Sequence, residues 1–244
     1  MLNILEFFIK KIKGNDFKLD KDLSLSYLFS KAISMIINLI RGNIKSLFVK
    51  KKSNIIFIGS KSKLKMKRKM KFGIGINIGK YVIIDALSKN GVTLGDNISI
   101  GDFSRILCTG TIRNLGKGIK IGNNFGCGEN CFFGAAGGIE IGNDVIMGQN
   151  VRFHSENHIF NDINALIRLQ GVTNKGIKIG NNCWIGSGVV FLDGVTVGNG
   201  CVIGANTLVN KDIPDNAIAV GSSVKIIKYR DETENDKLKK GVFY

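Results

Sequence analysis

Two histidines, His154 and His158, stand in the 244-residue chain. They are the side chains best suited to take a proton from a hydroxyl near neutral pH and return it later. His154 follows Phe153 inside a patterned stretch and reads as a corner residue with a packing or surface role. His158 stands at the root of an unpatterned segment, residues 155–176, directly after Glu156 and Asn157. It is the candidate general base, with Glu156 near enough in sequence to orient the imidazole. The five cysteines (Cys108, Cys127, Cys131, Cys183, Cys201) offer a different nucleophile. They fall mostly on inward positions of the pattern, where burial suppresses thiolate chemistry. An odd count without a CxxC pair argues against a disulfide scaffold and a zinc site and for a reducing, cytoplasmic compartment. With two histidines there is little material for a metal cluster, and no metal is expected.

The pattern that must position His158 has a period of six. From Ile179 the chain reads IGNNCW, IGSGVV, FLDGVT, VGNGCV, IGANTL and then Val209. An aliphatic or Phe opens each hexad, and a small or β-branched residue (Cys183, Val189, Val195, Cys201, Thr207) sits four on. A helix would repeat at three and four, and a plain strand at two. A period of six means short strands joined by corners, with Gly and Asn at the corners because they tolerate a left-handed backbone. Three strands close one triangular coil of eighteen residues, and stacked coils share one core. Upstream the register recurs at Phe72, Ile78 and Ile84, at Leu94, Ile100, Ile106 and Ile112, at Ile121, Cys127 and Phe133, and at Ile141, Met147 and Phe153. The fold class is therefore all-β, a parallel β-helix of six or seven coils over residues 54–230. Small insertions are expected near Asp85 to Val92 and Asn114 to Gly118, and the large loop over residues 155–176.

The leader, residues 1–53, has a different character. Residues 1–71 carry 18 Lys and Arg against 4 Asp and Glu, whereas the rest of the chain carries 17 against 15. The formal charge of +16 thus belongs to the leader and first coils. A short amphipathic helix is expected to end near Gly14 and a longer one to span residues 23–49, with Gly42 as a possible break. Polar residues Ser24, Lys31, Asn38 and Lys45, with Ser34 and Arg41, form one stripe on the longer helix. Two readings stay open: the helix caps the open end of the solenoid, or it attaches the protein to an anionic membrane surface. The interrupted apolar run argues against a span, and no recognition fold accompanies the charge to support nucleic-acid binding. The last residues, 231–244, read as a charged tail.

The hexads resemble those of the left-handed hexapeptide-repeat acyltransferases, and the left hand of the β-helix is implied by that resemblance. IGNDVIMGQNVRF before the loop and IGNNCWIGSGVVFLDGVTVGNGCVIGANTLVNKDIPDNAIAVG after it are closest to bacterial surface-polysaccharide and sugar O-acetyltransferases and the related xenobiotic acetyltransferases. The resemblance implies an acetyl-CoA groove between subunits of a homotrimer, with an external active-site loop. The pantetheine arm would pass Gly148, Gly186, Ser187 and Ala205 beside Trp184, and the nucleotide end would meet Lys211, Lys225 and Lys228. The Ser187 N–H would receive the tetrahedral oxyanion. The family asparagine that holds the acceptor aligns with Gly128 here, which leaves Asn130 as the nearest substitute. Where the family has Asn-Pro-Ala-Lys, this chain has Ser222, Ser223, Val224 and Lys225.

The function expected is acetyl-CoA-dependent O-acetylation of a sugar hydroxyl on a cell-surface polysaccharide or its lipid-linked precursor. The alternatives are a small acceptor such as an antibiotic or free sugar, N-acetylation of an amino sugar, or a non-catalytic scaffold.

Overall fold

The computed structural model describes residue 20 and residues 22–230 apart from residue 112. The short helix expected before Gly14, the hexad position Ile112 and the tail from residue 231 lie outside the described residues. A helix, Leu25–Lys45, leads into seven stacked triangular coils. The solenoid is a left-handed parallel β-helix. Its first face runs from Lys50–Lys51 to Thr196–Val197, its second from Ile56–Ile58 to Ala217–Val220, and its third from Lys63–Lys65 to Leu208–Val209. All coil-to-coil pairings are parallel and in register, as in Ile119↔Ile139 and Phe133↔Phe153. A final strand, Lys225–Tyr229, folds back antiparallel on Ala217–Val220.

The period of six follows from the geometry. Each short strand turns its central or flanking aliphatic residue inward, and the next corner brings a small residue in. Ile179, Cys183, Ile185, Val189, Phe191, Val195, Val197, Cys201, Ile203, Thr207 and Val209 are all buried. The same core continues upstream through Ile141, Ile121, Leu94 and Phe72. Each fully buried aliphatic contributes about 1.5–3 kcal/mol, so the register is strongly fixed. Along the third face Phe133, Phe153 and Phe191 stack, with ring centroids 5.1 and 4.6 Å apart. All five cysteines are buried and free.

The turn of eighteen residues holds only between Ile177 and Val209, and the last turn is shorter; earlier coils are longer, and the additions fall at one corner. Residues 66–69, 86–91, 108–118, 135–138 and 155–176 all lie between the third face and the first. The other two corners keep nearly constant length.

Two local expectations are corrected. His154 is not at a corner: it is the last residue of the strand Arg152–His154, outward and exposed. Gly42 does not break the helix; it is buried within it, and a Cβ there would collide with the Ile56 carbonyl. Glycine lets the helix press directly onto the first coil. Among the described residues no helix is long and apolar enough to cross a membrane.

Candidate functional site

The two unaltered corners differ in how they satisfy their backbone. At the corner between first and second faces an Asn or Asp stands in every coil from Asp96 on, and its side chain accepts from the equivalent N–H of the preceding coil. Ile74 donates to Asp96 Oδ1 (2.9 Å), Asp96 to Asn123 (2.8 Å), Asn123 to Asn143 (2.7 Å), Asn143 to Asn181 (2.8 Å), Asn181 to Asn199 (2.8 Å) and Asn199 to Asp215 (2.7 Å). Every rung is closed.

At the corner between second and third faces this arrangement stops. Lys80 N–H still donates to Asp102 Oδ1 (2.8 Å). Further along, the equivalent residues are Asp102, Glu129, Gln149, Ser187 and Ala205, whose N–H groups donate to no acceptor among the described residues. Ser187 is half-buried, and its hydroxyl donates to Gln149 Oε1 at 2.8 Å. The residues before Gln149, Ser187 and Ala205 are Gly148, Gly186 and Gly204. A Cβ on Gly148 would meet Ser187, and one on Gly186 would lie 2.5 Å from Ala205 N. These glycines let successive coils stack closely, and a chain of amides lying along the edge would accept from its free N–H groups.

The structure brings Gly148, Gly186, Ser187 and Ala205 together on this edge. Lys225 opens the final strand near its end, opposite Val220, and Lys228 lies three residues on, opposite Ile218. Trp184 projects from the second face beside the edge, 56% exposed, paired between Ile146 and Val202. Asn130 occupies the same corner one coil above Asn150, with φ 58°. Its corner conformation explains the residue type without any acceptor. Lys211 follows the last strand of the third face and lies at the next corner.

His158 also lies at that next corner. Its strand, Asn157–His158, pairs antiparallel with Val172–Thr173, so the large loop leaves and returns as a two-stranded arm. The ring is exposed, and among the described residues it makes no hydrogen bond. The loop tip is tied by Gln170, whose amide donates to the Asp162 and Ala165 carbonyls at 2.8 Å each. Glu156 is half-buried and accepts from the Asn174 amide at 3.1 Å when that amide is turned to satisfy both its ends; it is not placed against the imidazole. One chain thus holds His158 and Ser187 on opposite margins of the third face. At about 3.3 Å per residue across the strand, the margins are on the order of 15 Å apart.

Two contributors escaped the sequence. Asp193 accepts from the backbone N–H of Lys175 (3.0 Å) and of Gly176 (2.7 Å), and from the Thr173 hydroxyl (3.4 Å), which holds the return limb of the arm. Its signal was an Asp in FLDG where the hexads before and after carry Ser187 and Asn199. Buried Ser155 anchors the outgoing limb, donating to the Gly134 carbonyl (2.7 Å) and accepting from Gly137 N–H (2.9 Å). Between the limbs and Phe132 sits His154, whose ring is 5.6 Å from that of Phe132. Partial desolvation of this otherwise exposed ring first, and Arg152 second, hold the His154 imidazole below its ordinary value.

Comparison with known proteins agrees with this architecture. Residues 176–211 match the family described as bacterial transferase hexapeptide (six repeats). A maltose O-acetyltransferase from Clostridium difficile 630 is 34% identical, over 57% of this chain and 70% of that one, with a TM-score of 0.50. Galactoside O-acetyltransferase of Lactococcus lactis is 37% identical over 85 residues, which are 34% of this chain and 40% of that protein. A variant N-acyltransferase of Bacillus cereus, solved with dTDP and coenzyme A, shares the fold over 92% of this chain and 97% of its own at 18% identity, TM-score 0.50. The chain spans about half the length of the curated relatives it matches.

Proposed function

Since the chain belongs to the hexapeptide-repeat acetyltransferases, we propose that it transfers the acetyl group of acetyl-CoA to a sugar hydroxyl. The observation that carries this reading is the edge where the Asn ladder has no counterpart. Successive free N–H groups at Asp102, Glu129, Gln149, Ser187 and Ala205 line this edge, and Gly148, Gly186 and Gly204 let its coils stack closely. The pantetheine arm of the donor supplies the amide carbonyls that accept from these N–H groups.

In the proposed reaction His158 accepts the proton of the sugar hydroxyl as its oxygen attacks the thioester carbonyl. The Ser187 N–H stabilises the tetrahedral oxyanion. The C–S bond then breaks, and protonated His158 gives its proton to the leaving coenzyme A thiolate. No covalent enzyme intermediate is required. Because His158 and Ser187 flank different margins of one chain, the reading requires that the His158 of one copy face the Ser187 edge of another. A homotrimer closes such a set of sites around a threefold axis, and Asn130, the nearest substitute for the family asparagine, is the proposed contact to the acceptor. Lys225 and Lys228, with Lys211 from the adjoining margin, are the proposed partners of the nucleotide phosphates.

The acceptor we favour is a hydroxyl on a surface polysaccharide or its lipid-linked precursor, supported by the basic leader. The test is incubation with acetyl-CoA and a panel of polymeric, lipid-linked and small acceptors, read by thiol release, with light scattering for the mass. No release with any acceptor returns the protein to a scaffold role. A fully active monomer removes the shared site.

A further inference from the structure

The capping helix is inside out. Its polar residues face the protein: Arg41 donates to the Ile58 carbonyl (3.0 Å) and to Asn38 Oδ1 (2.6 Å). Asn43 donates to the Asn54 carbonyl (3.1 Å), and Lys45 to the Ser62 carbonyl. These are carbonyls at the open edge of the first coil, which has no coil before it to pair with. Polar side chains of the helix take the place of the missing neighbour. The helix is thereby oriented, and its apolar side is turned to the outside. Phe29, Ile33, Ile36, Ile40 and Ile44 follow one another at spacings of three and four, with Phe29 70% and Ile44 62% exposed. Such a stripe ordinarily covers a core; among the described residues this one covers nothing.

Around its foot runs an unbroken sign of charge. Residues 50–71, the first coil and its exit, contain ten Lys and Arg and no Asp or Glu. Among the described residues only two of these cations are paired, Lys52 with Asp96 (3.4 Å) and Lys65 with Asp85 (3.5 Å), both exposed and weak. A helix is about 10 Å across, so the basic coil sits one helix diameter behind the apolar stripe. An interfacial helix buries itself roughly 5–10 Å into the boundary of headgroups and acyl chains. The two depths match.

We propose that the helix Leu25–Lys45 lays its outward stripe into an anionic lipid bilayer while the first coil rests on the headgroups, so that the solenoid stands on the membrane by its N-terminal end. A second copy of the chain is the poorer occupant, because stripe-to-stripe contact would bring two such cationic rims together. The proposal is independent of the acyl-transfer reading.

The test is sedimentation of the full chain with vesicles of phosphatidylcholine, with and without phosphatidylglycerol. The variant combines Phe29→Gln, Ile36→Gln and Ile40→Gln, which keeps strong helix formers and every capping group. Wild type should sediment with the anionic vesicles, and less so as salt rises. The triple variant should lose at least about tenfold in vesicle affinity with unchanged circular dichroism and mass. The single Phe29→Gln, at the most exposed apolar site of the helix, should lose part of it and serves if the triple variant misfolds. Wild type that stays in solution, or binds neutral vesicles equally well, overturns the proposal. So does a well-folded variant that binds as wild type does. A variant that changes oligomeric mass assigns the stripe to another copy instead.

Discussion

His158 lies directly opposite Val172 in the antiparallel arm that closes the external loop, so the imidazole rests on a two-stranded support. Its ring is exposed and takes no part in packing. His158→Ala should therefore abolish thiol release and leave stability within about 0.5 kcal/mol of wild type, as for other surface substitutions. Turnover assays and urea unfolding of one preparation give both readings. Retained turnover removes His158 from the proposed role.

Asp193 holds the limb on which Val172 lies, through Lys175, Gly176 and Thr173. Asp193→Asn keeps the shape and removes the charge that strengthens those bonds, at a cost of about 1–2 kcal/mol. The expected result is loss of amide-exchange protection at Lys175 and Gly176 with a fall in kcat. Glu at the same position should not rescue it, since the longer carboxylate overshoots both N–H groups. Unchanged protection with lowered turnover would assign Asp193 a direct part in the chemistry.

Gly186→Ala tests the donor edge. The new Cβ would lie 2.5 Å from Ala205 N, closer than real contacts allow, and the backbone cannot yield cheaply. Overpacking of this kind costs about 1–3 kcal/mol. Above that loss of stability, KM for acetyl-CoA should rise more than KM for the acceptor. An equal effect on both would mean that the edge does not carry the donor.

The hexads made the solenoid legible because inward and outward residues are chemically opposite: Ile179, Ile185, Phe191 and Val197 have no tolerable alternative placement. The external loop was legible for the converse reason, since residues 155–176 carry no hexad. The helix over the open end was legible too, as one of two readings, but its orientation was not. A stripe of Ser, Asn, Lys and Arg reads as the wet side of a helix, and nothing local says that unpaired carbonyls of a first coil will claim it. Gly42 was misread for the same cause: its partner, the Ile56 carbonyl, is distant in pattern though near in sequence. The donor edge was visible as small residues, but the free N–H groups emerge only when the Asn ladder of the neighbouring corner can be laid beside them.

The stack of Phe133, Phe153 and Phe191 runs through three successive coils, with Phe191 buried completely. Phe191→Ala should cost about 3–5 kcal/mol, in the range of large cavities. Chemical denaturation should show it, and Phe191→Leu should recover more than half.

His154 gives the fold an acid-side weakness. Partial desolvation and Arg152 hold its folded value below the ordinary 6.5. In the window below that value the unfolded chain binds more protons than the folded one, so stability rises with pH up to the ordinary value and is lost as pH falls through the window. Urea midpoints near neutrality and well below pH 6 should differ more for wild type than for His154→Gln. Equal slopes would mean that the ring relaxes into solvent when charged.

A parallel solenoid is by construction a segment of an endless filament, since each coil is a template for the next. In this chain both templates are spoiled. At one end Arg41, Asn43 and Lys45 occupy the carbonyls that an incoming coil would need. At the other the strand Lys225–Tyr229 runs against the grain of the sheet, and an antiparallel edge cannot nucleate a parallel turn. Length here is a property written twice, once at each terminus of the stack. Removing either stopper should turn a protein of fixed size into one that grows end to end.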